Sequence, residues 1–153
     1  MLILIEGASK SGKTTFCDYL NSQLKGSLFY KGIYRESFND IKENWRLGCF
    51  LSLIELSNEI KKPIIVDRFH LSEFYFSQEY RNGIFTSDYF QRIEEEILNI
   101  SHLLLFIDSK EMSDESNKLE ILFNDSKLDK FIGSRQWMYN HLDLISRIID
   151  EAS

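Results

Sequence analysis

The chain has 153 residues, 43% hydrophobic and 27% charged, with 18 basic against 24 acidic side chains and a formal net charge of −6. That is the make-up of one globular domain, residues 1–153, large enough to bury a substantial core. The acidic balance excludes extended, sequence-independent binding of DNA or RNA, which works by neutralising many phosphates, so an anionic ligand is expected to be a small molecule in a focused basic pocket.

Residues 2–6 (LILIE) are a short run of branched apolar residues ending at Gly7, as in a strand buried on both faces of a parallel sheet. The run is too short for a membrane span and lacks a basic leader, so no membrane contact and a cytoplasmic location are expected. Residues 13–25 have helical spacing, with Phe16, Leu20 and Leu24 on one face and Gly26 closing the helix. LFYKGI (28–33) reads as a second strand. A long helix is expected over about 40–61, its stripe running through Ile41, Trp45, Phe50, Leu53, Ile54 and Ile60. PIIVD from Pro63 is a third strand. Helical patterns follow at about 70–81 and 86–99, then a fourth strand, LLLFID (103–108). The remainder, 111–150, reads as helix apart from a polar break near 124–127 and Gly133. Cys17 and Cys49 sit among apolar residues at no metal-like spacing and are expected to be buried free thiols.

This order, βαβαβααβαα, predicts an α/β fold: a parallel sheet of four strands covered by helices on both faces. Ligands of such sheets sit at the carboxyl ends of the strands, where Glu6, Asp67 and Asp108 fall.

EGASKSGKTT (6–15) occupies that edge. Gly7, four residues, then Gly12-Lys13-Thr14 is the spacing of a phosphate-binding loop between a strand and a helix. Glycines let backbone N–H groups turn inward around phosphate oxygens, and the helix start presents its positive end to them. Lys13 is placed to reach the outer phosphates, and the Thr14 hydroxyl to ligate Mg²⁺. Gly7, Ser9, Lys10, Ser11, Gly12, Lys13, Thr14 and Thr15 are therefore the candidate contacts of ATP. VDRFH (66–70) brings a second pair to the same edge: Asp67, which can hold Mg²⁺, and Arg68, which can grip a phosphate bidentately. YRES (34–37) follows the second strand, with Arg35 a candidate clamp for an acceptor phosphate and Glu36 a candidate proton acceptor. Phe38 and Tyr75 are candidates for a base platform, although most aromatic residues here must fill the core.

Taken together, IEGxxxSGKTT, RES after the second strand and DR after the third resemble the thymidylate kinases and the deoxynucleoside kinases that share their fold. DRFHLSEFYFSQEYRNG (67–83) follows the deoxynucleoside-kinase layout, with Ser72-Glu73 and Tyr80 to Gly83. The resemblance covers about residues 1–110. It implies a three-layer P-loop kinase fold with strand order 2-3-1-4, a short lid at about 109–134, and phosphoryl transfer from Mg-ATP to a deoxynucleoside 5′-monophosphate. Alternatives are a deoxynucleoside kinase acting on a 5′-hydroxyl and an ATP-binding regulatory protein on a degenerate kinase fold. It also makes the helix at 40–61 the surface for a homodimer. In one class of thymidylate kinases an arginine stands at the place of Lys10 and the lid lacks catalytic basic residues. Since no arginine lies between Asp108 and Gly133, the resemblance gives Lys10 a catalytic role beside Lys13, Asp67 and Arg68.

The departures are specific. Ser9 replaces the acidic residue that contacts the acceptor sugar, and Ser37 replaces the proline of REP. Ser57-Asn58 stands where a partner arginine is sought in the helix before the third strand. The tail, DKFIGSRQWMYNHLDLISRIID, shows no fifth strand. Arg135, Gln136 and Trp137 are candidates to cover an adenine, against a plain core role.

Overall fold

The first strand, β1 (Leu2–Glu6), is fully buried, and its residues alternate between two cores. Leu2 and Leu4 join one apolar cluster, Ile3 and Ile5 the other. This is what a strand covered on both faces requires. The computed structural model describes residues 1–24, 27–31 and 43–152, the side chains of 43–45 apart. After β1 come α1 (Lys13–Gln23), β2 (Leu28–Lys31), α2 (Glu43–Glu59), β3 (Ile64–Asp67), α3 (His70–Tyr80) and α4 (Ser87–Leu98). The chain continues through β4 (His102–Asp108), α5 (Asp114–Asp125), β5 (Lys130–Ser134), α6 (Arg135–Asn140) and α7 (Leu142–Glu151).

The strands pair in the order β2-β3-β1-β4-β5, every pairing parallel. Residues of α2, α3, α4 and α5 pack with Leu2, Leu4, Val66, Leu104 and Phe106 on one face. Phe16 and Leu20 of α1, Met138 of α6 and Ile145 and Ile149 of α7 pack with Ile3, Ile5, Ile65 and Leu105 on the other. The three-layer α/β architecture read from the sequence is therefore present. Among the described residues no helix is long and apolar enough to cross a membrane.

Two expectations are corrected. A fifth strand exists, and the tail is not helical throughout: β5 pairs with β4 from Leu104↔Lys130 to Asp108↔Ser134. Its signal is weak because it is an edge strand, where no apolar run is needed. Ile132 is 39% exposed, and the Lys130 ammonium donates to the carbonyls of Phe123, Asn124 and Ser126 at the end of α5. The expected lid segment thus contains α5 and β5. The second correction is Cys49, which is exposed on α2, whereas Cys17 is buried as expected.

Candidate active site

The phosphate loop joins β1 to α1 and owes its path to residues that accept positive φ. Gly7 (φ +149°) lies so close to β4 that a Cβ there would meet the Ile107 carbonyl oxygen at 2.7 Å. Gly12 (φ +86°) is pressed by the Arg135 side chain, where a Cβ would meet Cδ at 2.4 Å. Between them Lys10, at φ +65°, carries the same left-handed turn without being glycine. The first turn of α1 has no acidic residue and no side-chain cap, which leaves its N–H groups to an anion.

Lys13 and Thr14 then meet the end of β3. The Thr14 hydroxyl donates to Asp67 Oδ2 at 2.9 Å, and Lys13 Nζ lies 3.5 Å from Asp67 Oδ1. Burial, and next the Arg68 charge, hold the Lys13 ammonium below its ordinary value against the pull of Asp67. Asp67 is buried, and its Oδ1 has no hydrogen-bond partner among the described residues. A buried, unsatisfied carboxylate oxygen beside a hydroxyl fits a Mg²⁺ ion, which takes one or two protein ligands and completes its shell with water and phosphates. Consistent with so sparse a donor set, the described residues contain no cluster of three or more His, Cys, Asp or Glu able to cage a metal.

Arg68 follows Asp67 in a left-handed conformation, φ +69°. Two features hold it there. Its N–H donates to Ile5 O at 2.9 Å, and the fully buried Glu6 carboxylate caps α3 immediately afterwards. Glu6 Oε1 accepts from Phe69 N at 2.6 Å and Ser72 N at 3.3 Å, and Oε2 from the Ser72 hydroxyl. The Arg68 guanidinium lies over the Phe76 ring, donates to Ser72 Oγ at 3.2 Å and reaches Ser9 Oγ at 3.2 Å. Glu115, in the first turn of α5, pairs with it at 3.3 Å.

A second charged group is buried under α2 and α3. Glu73 accepts from Arg46 Nη1 at 3.1 and 3.2 Å and lies 3.1 Å from Arg81 Nη2. The Arg81 contact is an ion pair without hydrogen-bond alignment, so both terminal nitrogens of Arg81 lack a hydrogen-bond acceptor among the described residues. Burial raises the Glu73 carboxyl above its ordinary value even against Arg81 and Arg46.

Beside the phosphate loop, on the β4–β5 side, lies a cleft of about 370 Å³ lined by Lys10, Ser11, Asp108, Lys110, Arg135 and Gln136 among others. The sequence-derived residues therefore divide. Ser9, Lys10, Ser11, Lys13, Thr14, Asp67 and Arg68 come together at the carboxyl edge, and Thr15 is exposed on α1. Tyr75 is instead packed in the core at 6% exposure, its phenol pushed up to about 12 by burial, then by Tyr80 and Glu115. Arg35, Glu36 and Phe38 lie outside the described residues. Sequence reasoning missed Glu6 as a cap, Arg46 as the partner of Glu73, and Glu115. Arg46 stands near the start of α2, well before Ser57-Asn58 where a partner was sought. For Glu115 no local signal exists.

No protein-family model matches the sequence, and no curated protein matches it. Solved structures do. The YorR protein of Bacillus subtilis, in complex with phosphorylated GDP, superposes with a TM-score of 0.72 at 19% identity over 97% of this chain and 95% of that one. Thymidylate kinase from Candida albicans gives 0.57 at 17% identity, covering 97% and 92%. Thymidylate kinase from Ehrlichia chaffeensis gives 0.55 at 19%, covering 97% and 98%. The chain has the P-loop kinase fold of the thymidylate kinases over nearly its whole length.

Proposed function

We propose that this protein is a Mg²⁺- and ATP-dependent kinase that phosphorylates a deoxynucleoside 5′-monophosphate. The observation that carries this reading is the convergence of Lys13, Thr14 and Asp67, with Arg68 adjoining, at the ends of β1 and β3. The loop amides and the start of α1 hold the outer phosphates of ATP, and Lys13 follows the charge on the transferring group. Mg²⁺, bound by Thr14 and Asp67, would neutralise charge on those phosphates. Lys10 adds a second cation from the loop apex. The nucleoside end of ATP enters the cleft beside Arg135. Arg68 grips the acceptor phosphate, and Arg35 is the second candidate clamp for it. That phosphate already carries a nucleophilic oxygen, so positioning and charge stabilisation suffice without a strong base. The bond between the γ-phosphorus and its bridging oxygen breaks, the acceptor oxygen takes its place, and ADP and a diphosphate leave.

A second reading, transfer to a nucleoside 5′-hydroxyl, draws support from Glu115, whose carboxylate already pairs with Arg68. The regulatory reading loses one of its grounds, since β5 is present. Following ADP formation with Mg-ATP and a panel of nucleosides and 5′-monophosphates, with Lys13→Ala as the blank, separates the three. Selective turnover of one monophosphate is expected. Turnover of nucleosides alone, or ATP binding without turnover, goes against it.

A further inference from the structure

Four donors converge on one oxygen of Glu115. Oε1 receives the Ser9 amide at 3.2 Å, the Ser9 hydroxyl at 3.3 Å, and both terminal nitrogens of Arg68 at 3.3 Å each. A carboxylate oxygen offers two lone pairs, so four donors at the long limit of hydrogen bonding are more than it can satisfy. The donors are of the kind that select oxyanions: a backbone N–H in a positive-φ loop and a guanidinium fork. They are also fixed without Glu115. Arg68 is held by Ile5 O through its own amide, by Ser72 and by the Phe76 ring, and Ser9 belongs to the phosphate loop. Glu115, by contrast, rides on the first turn of α5. Leu119 and Phe123 anchor that helix in the core, and an exposed pair, Lys118 with Glu79, links it to α3, so it is the Glu115 side chain alone that has to move.

We propose that Glu115 is a placeholder for the acceptor's phosphate, holding Arg68 and the Ser9 amide until a phosphorylated acceptor displaces it. This rests on the kinase reading for the identity of that acceptor. A monophosphate brings three oxygens and up to two negative charges to donors that one carboxylate oxygen leaves under-served, and it takes over Arg68 and the Ser9 amide as Glu115 swings out. A nucleoside brings neither, and Arg68 stays capped. The carboxylate thus keeps a charged arginine satisfied while the site waits, at the cost of competing with the substrate.

The test is calorimetric titration of inorganic phosphate into protein saturated with Mg-ADP, so that the phosphate loop is filled. Wild type, Glu115→Gln and the double variant Glu115→Gln/Arg68→Gln are compared. Removing the competing charge should tighten phosphate binding roughly fivefold, the scale of one partly exposed ion pair, and the double variant should lose that gain. Unchanged or weaker binding in Glu115→Gln overturns the proposal, because Glu115 would then be supporting Arg68 rather than competing for it. The two readings fail separately. Tighter phosphate binding with no monophosphate turned over keeps the exchange and defeats the kinase reading. Turnover of a monophosphate with unchanged phosphate binding does the reverse.

Discussion

In the phosphate-loop cluster, Lys13 and Thr14 meet Asp67, and the atom left without a hydrogen bond is an oxygen, Asp67 Oδ1. In the α2–α3 cluster, Arg46 and Arg81 meet Glu73, and the terminal nitrogens of Arg81 have no hydrogen-bond acceptor among the described residues. Both groups are buried, so both leave polar atoms where leaving them is costly. In the first the carboxylate oxygen has only the Lys13 ammonium at 3.5 Å, and in the second Arg81 meets Glu73 as an ion pair at 3.1 Å. The difference teaches that a carboxylate exposed to a loop of N–H donors is built for a ligand. A carboxylate enclosed by two arginines holds two helices together.

Variants can break or sharpen that contrast. The largest effect expected is from Lys13→Ala: ADP formation should fall by about 10³-fold or more, since the cation that follows the transferring charge is gone. Glu73→Ala should act on stability instead, leaving two buried arginines uncompensated at about 3–5 kcal/mol, read from urea or thermal denaturation. If Glu73→Ala unfolds no more easily than wild type, the second cluster is not structural. Arg81→Gln should be milder in folding than Glu73→Ala, since Arg46 still compensates Glu73. Equal destabilisation by the two variants would contradict that order.

The smallest effect concerns pH. Glu94 on α4 meets the buried His70 at 2.7 Å and accepts from Lys127 N at 3.1 Å. Burial pushes its carboxyl up, but the hydrogen bond and charge of His70, with the hydrogen bonds of Ser126 and Lys127 N, together outweigh it, and the net shift is downward from 4.5. A folded value below the unfolded one means that this contribution is complete above pH 4.5 and is lost as pH falls through the folded value. Thermal melts taken from about pH 5 down to about pH 3 should show wild type losing more stability than Glu94→Gln. Parallel losses would remove the pair from the acid response.

What the sequence disclosed, it disclosed locally. The phosphate loop is one contiguous motif whose glycines and lysine each have a physical reason, and Asp67-Arg68 ends an apolar run that can only be a buried strand. The parallel sheet follows from the alternation of strands and helices, while the order β2-β3-β1-β4 came from the resemblance to the thymidylate kinases. β5 was hidden because KFIGS is an edge strand with a lysine, a glycine and a half-exposed isoleucine, and no pattern of period two survives such a face. Glu115 was hidden for another reason: it meets Ser9 across 106 residues, from an ordinary solvated turn of an acidic helix. Arg46 and Glu73 likewise become partners only when α2 and α3 are laid side by side. Tyr75 shows the reverse failure, an aromatic residue in a suggestive stretch that fills the core.

The most direct test of the account follows the γ-phosphoryl group of labelled ATP in the presence of Mg²⁺ and a mixture of deoxynucleosides and deoxynucleoside 5′-monophosphates. Label is expected in a deoxynucleoside diphosphate, and none there with Lys13→Ala. Label found only on a 5′-hydroxyl, or remaining on ATP while ATP binds normally, would contradict it.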